Sequence, residues 1–71
     1  MIVKGDFVRF VGSFFVESGL DLRHIMTSIP RDGIVLENNS KFVKILSNNE
    51  VCILIPDQKE LFKIKVLTRE E

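Results

Sequence analysis

The only histidine of the chain, His24, stands three residues after Asp21 and four before Ser28. A nucleophile, a base and an orienting carboxylate can be drawn from that spacing, and this is the one constellation on which an enzyme reading would rest. No oxyanion glycine motif accompanies it. The chemistry therefore reads as a solvent-exposed imidazole on the polar side of a short helix, and its removal is expected to change little. Cys52 stands alone in an apolar stretch, with no second cysteine and no flanking basic residue to lower its pKa; it reads as a small buried hydrophobe. One His and one Cys do not make a metal site. Gly5, Gly12, Gly19 and Gly33 match neither a phosphate loop nor a dinucleotide fingerprint. No catalytic residue, metal ligand or cofactor is assigned.

The basic residues suggest a different use. Arg9, Lys41, Lys44, Lys63 and Lys65 fall in strand-like stretches, whereas Glu17, Asp21, Asp32, Asp57, Glu60, Glu70 and Glu71 fall mostly in connections and at the tail. Of these cations, Arg9, Lys44, Lys63 and Lys65 are the candidate nucleic-acid contacts. Ten basic and ten acidic residues cancel, however, so attraction to a polyanion is weak. Lysines along strands also discourage edge pairing without any ligand.

Five stretches carry these residues. Asp6–Val11 places Val8 and Phe10 on one side. Gly33–Glu37 and Glu50–Ile55 are nearly continuous apolar runs. Lys41–Leu46 alternates weakly, and Phe62–Leu67 alternates clearly, Phe62, Ile64 and Val66 against Lys63 and Lys65. Ser47-Asn48-Asn49 predicts a tight hairpin, because asparagine tolerates the left-handed conformation such turns require. Glu37 to Ser40 joins the second and third strands, and Pro56 to Glu60 has room for a turn or one short helical turn.

The segment from Gly12 to Asp32 is too long for a structureless connection in a compact domain. Leu22, Ile25, Met26 and Ile29 recur at helical spacing after Asp21, a capping residue, and before Pro30. A short helix over Leu22–Ser28 is predicted.

With 71 residues the chain has room for a single domain, 1–71, burying about 60% of its unfolded surface. Valine, isoleucine and six phenylalanines dominate the apolar set and alanine is absent, a mix that favours strands. No run approaches the roughly 20 apolar residues of a membrane span. A cytoplasmic protein without a membrane partner is expected, the lone cysteine suiting a reducing compartment.

The order Gly5-Asp6-Phe7-Val8-Arg9-Phe10, a long segment, Gly33-Ile34-Val35-Leu36, Lys41-Phe42-Val43-Lys44-Ile45-Leu46, a tight hairpin and two further strands resembles the SH3-like small β-barrels. The resemblance implies an all-β, five-stranded barrel, here with a short helix in the long first loop. Such barrels recur in ribosomal and transcription-associated modules, in accessory subunits of electron-transfer complexes and in small phage proteins. The absence of Tyr and Trp sets this chain apart from the polyproline-binding members.

Apolar residues exceed what one small barrel needs. If Val8, Phe10, Val35, Val43, Ile45, Val51, Ile53, Ile55, Phe62, Ile64 and Val66 fill it, then Phe7, Ile34, Leu36, Phe42, Leu46, Cys52 and Leu54 point outward. Either the 12–32 segment covers them or another chain does. Ile34, Leu36, Phe42, Leu46 and Leu54 are accordingly the expected interaction surface of a non-catalytic interaction module or accessory subunit, of phage origin or from a larger complex. Its expected partner is another protein or a second copy. Weak nucleic-acid binding and an enzyme built on His24 are the alternatives.

Overall fold

A computed structural model describes residues 1–69, and the acidic tail expected at Glu70 and Glu71 lies outside the described residues. Five antiparallel strands, β1 (Phe7–Ser18), β2 (Asp21–Asn38), β3 (Val43–Ser47), β4 (Glu50–Leu54) and β5 (Phe62–Thr68), form a closed SH3-like barrel. Its one short helix is a 3-10 turn, Pro56–Leu61, between β4 and β5. Proline at its start and an extended residue on either side confine it to that length.

The predicted helix over Leu22–Ser28 is overturned: these residues continue β2. Gly19, at φ +64, and Leu20 form a two-residue turn between Ser18 and Asp21, and β1 then pairs with β2 from Glu17↔Leu22 to Gly12↔Thr27. The apolar residues that suggested a helical stripe divide between two strand faces instead. Ile25 packs against the core, while Leu22 and Met26 face outward. Pairing with the long β1 and the branched side chains of Ile25, Thr27 and Ile29 together outweigh a weak helical periodicity. Near Pro30 the register breaks, so that Gly12 pairs with Thr27 but Phe10 with Arg31.

β1 is bordered on one side by β2 along most of its length. On the other side it pairs first with β5, from Phe7↔Thr68 to Gly12↔Phe62, and then with β4 at Phe15↔Ile53 and Val16↔Cys52. Gly12 sits at this exchange of neighbours with φ +116. A Cβ there would run into the Leu61 carbonyl and the Phe62 backbone. Inward residues on either side of it, Val8, Phe10, Phe14 and Val16, make the β1 wall of the core.

The opening of β1 is tied to the end of β5 through Asp6. This buried carboxylate accepts the Val3 N–H at 2.9 Å and two guanidinium N–H bonds from Arg69 at 2.9 and 3.0 Å. Gly12→Ala is expected to destabilise the barrel by more than about 1 kcal/mol, through backbone collision and an unfavourable φ together. Chemical denaturation that leaves the midpoint unchanged would refute that role for Gly12.

Candidate functional site

The hairpin at Asn48-Asn49, both at positive φ, sets which residues of β3 and β4 share a face. With Ser47 opposite Glu50, Ile45 falls opposite Cys52 and Val43 opposite Leu54. Cys52 and Leu54 therefore point inward with Ile45 and Val43, all within the core cluster. The expectation that Leu54 belongs to an outer surface is corrected: its side chain is 0% exposed. Val51 takes the outward phase, opposite Leu46, and Ile53 lies opposite Lys44.

Outside the barrel, three cross-strand pairs run in succession: Phe7↔Ile34, Ile34↔Leu46 and Leu46↔Val51. They form one apolar row across β1, β2, β3 and β4. Ile34 is 45% and Leu46 42% exposed, and Phe7 and Leu36 are similarly open. Leu36 occupies the irregularity between Val35 and Glu37 that shifts the register of β2 against β3. Phe42 is half-buried, with the Lys44 ammonium 5.2 Å from its ring centre. The 12–32 segment does not lie over this row; it is consumed by the β1–β2 pairing, which continues away from Ile34. Phe7 thus completes the row, and its place follows from being two residues before Arg9 on the same face.

Three of the four expected nucleic-acid contacts come together. Arg9 lies opposite Lys65, Lys63 follows opposite Val11, and with Phe10, Pro30 and Ile64 they border a shallow groove. Arg9 is already engaged, donating to both Asp32 carboxylate oxygens at 2.8 and 3.0 Å. Lys44 belongs elsewhere, 3.2 Å from Glu17 and beside Phe42. The four do not form one strip.

His24 is exposed, but it does have a partner: its Nε2 lies 2.6 Å from the Ser13 Oγ, and its ring is tilted over Phe15 at 5.1 Å between centres. Ser13 replaces the expected Ser28 because β1 and β2 are adjacent strands, with Phe15 opposite His24. Among the described residues no carboxylate bonds to this pair, and no group of three or more His, Cys, Asp or Glu is placed to hold a metal ion.

The guanidiniums of exposed Arg23 and half-buried Arg31 meet Glu50, each 2.9 Å from one of its oxygens. Arg31 also stacks 5.2 Å from the Phe14 ring centre and approaches the Cys52 thiol. Burial pushes that thiol's pKa up, against the opposing pull of Arg31. Compared with protein-family models, curated proteins and solved structures, the chain matches none.

Two outcomes follow from this geometry. Leu54→Ala should cost about 2–5 kcal/mol, as deletion of a buried leucine side chain does, while Leu46→Ala should remain within about 0.5 kcal/mol. Equal losses in urea titration would contradict the assigned faces. Hydrogen bonds from Arg69 to Asp6, from Arg9 to Asp32 and from Arg31 to Glu50 each hold the carboxyl below its ordinary pKa. The unfolded chain then binds more protons than the folded one in acid, so this stabilisation is complete above about pH 5 and is lost as pH falls through the lowered values. The melting midpoint should decline below about pH 4, and Asp6→Asn should make that decline shallower; an unchanged slope would exclude Asp6 as a contributor.

Proposed function

We propose that the chain is a non-catalytic protein-interaction module or accessory subunit that docks a partner protein on the row Phe7, Ile34 and Leu46, flanked by Leu36. The observation that carries this reading is the continuity of the row across four strands with none of the chain's own long hairpin laid over it. A barrel face can leave single apolar residues in water, but a register-aligned row is the form in which sheet surfaces present a contact patch. Polar residues border it, Lys44 and Glu37 on one flank and the Arg9–Asp32 ion pair on the other, as at the rim of an interface. A small phage protein or a subunit of a larger assembly suits this role. The single buried thiol supports a reducing, cytoplasmic setting.

A second reading has one observation in its favour, the convergence of Arg9, Lys63 and Lys65 around the groove between β1 and the Pro30 irregularity. It is the weaker of the two because Arg9 already has its carboxylate and Lys44 is absent from the cluster.

A photoreactive residue placed at Leu46 in cells expressing the chain should give one discrete protein adduct, absent when the probe is at Asp57. Ile34→Glu should abolish the adduct while leaving the melting curve intact. Labelling equal at both positions would overturn the proposal. So would a salt-sensitive oligonucleotide complex lost on Lys63→Glu and Lys65→Glu, which would put the basic groove first.

A further inference from the structure

Among the described residues, two strand edges of the barrel lack a neighbour, and they are built differently. β5 pairs there only with β1, and it carries Lys63 and Lys65. Lysines on an edge strand cost little in water and much against a second strand, so this edge is guarded. The other is the first half of β2. From Asp21 to Thr27 it pairs with β1 on one side and with no strand on the other among the described residues, since β3 joins β2 only from Ile34 onward.

This second edge carries no lysine, its charged side chains being Asp21 and the Glu50-paired Arg23. Its outward side chains are Leu22, His24 and Met26, with Leu22 59% and Met26 74% exposed. Of its polar side chains, Arg23 donates to Glu50 and His24 meets Ser13 within the chain, while Asp21 stands exposed at its start. What remains is a row of unpaired backbone N–H and C=O groups beneath apolar side chains. That combination accepts an added β-strand, because main-chain hydrogen bonds supply pairing and alternate side chains supply packing.

We infer that the added strand is the same edge of a second copy, paired antiparallel about a two-fold axis near His24. Self-complementarity is the argument for this occupant. An antiparallel register centred on His24 sets Leu22 of each copy against Met26 of the other, so both exposed apolar residues acquire apolar partners twice over. The inward phase pairs Arg23 with Ile25 and Asp21 with Thr27, and nowhere sets like charges opposite each other. The two barrels would share one continuous sheet in the order β4–β1–β2 to β2–β1–β4, with His24 and Phe15 of both copies in a single cross-strand row. This surface is separate from the row of Phe7, Ile34 and Leu46, and the inference stands whether or not that row binds a partner.

The test is mass measurement by light scattering on the whole chain across a wide concentration range, with amide hydrogen exchange alongside. Wild type should move from the 8.2 kDa chain mass toward twice that value as concentration rises. Leu22→Lys with Met26→Lys should weaken the dimer by roughly tenfold or more, since two apolar cross-strand contacts are replaced by repelling charges. Both side chains are open to water in the single barrel, so this variant should fold. Ile34→Glu should leave the dimer unchanged. In wild type, amides between Asp21 and Thr27 should exchange more slowly at high concentration than at low, a readout that does not depend on any variant. A chain monomeric up to about millimolar concentration, a range in which only very weak pairing is lost, overturns the inference. A dimer lost on Ile34→Glu but retained with both lysines overturns it as well, and assigns self-association to the other surface. Exchange between Asp21 and Thr27 that is independent of concentration overturns it too.

Discussion

Every strand of this barrel is placed by its pairing with β1, directly or through one neighbour. Backbone amides and carbonyls buried away from water must be paired, and β1 meets that demand with β2 along one side and with β5 and then β4 along the other. A strand can change neighbours midway only where its backbone is able to turn between them. Gly12 permits that change, and because Phe10 and Phe14 flank it on the inner side, the exchange also positions two rings in edge-to-face contact at 5.2 Å. Because β1 runs past the end of β5 to reach β4 while staying paired with β2, the sheet closes on itself into a barrel.

The sequence makes the barrel visible through Val8, Phe10, Val43 and Ile45, whose inward positions follow from alternation, while Val35 joins them inside from a continuous apolar run. Beyond that, legibility depends on whether a local rule has competitors. The Asn48-Asn49 turn is readable, and its two-residue length already dictates that Ile45 opposes Cys52 and Val43 opposes Leu54. Counting strand four by its own alternation gives the opposite phase, because every residue from Val51 to Ile55 is apolar and the pattern carries no phase information. Turn geometry, not hydrophobicity, decides there. In the 21–29 segment the reverse holds: a helical spacing exists in the sequence, but the deciding factor is a partner strand whose own extent, Gly12–Ser18, has little alternation to announce it. The Ser13–His24 contact and the separation of Lys44 from Lys63 and Lys65 both descend from that same pairing and become apparent only with it.

Charge does its structural work in small, specific groups. Glu50 lies between two guanidiniums, the exposed one of Arg23 and the half-buried one of Arg31 over Phe14, so that the arginine nearer the core has its counter-ion beside it. Asp6 is the buried counterpart near the start of β1, satisfied by one backbone amide and one guanidinium. The remaining outer surface is divided among the apolar row, the lysine-bearing edge of β5 and the apolar edge of β2. Three kinds of surface on one small barrel follow from three strand phases.

The contact between Asp6 and Arg69 also has a kinetic meaning. It joins residues 63 positions apart, whereas both tight hairpins join residues close along the chain. The entropy lost in closing a loop grows only logarithmically with its length, but it is lost before any distant contact can form. The hairpins can therefore assemble on local contacts, while this clasp closes after the strands between its two halves have found one another. Once closed, it couples the segment leading into β1 to the residue that follows β5, so that neither strand end can fray without releasing the other.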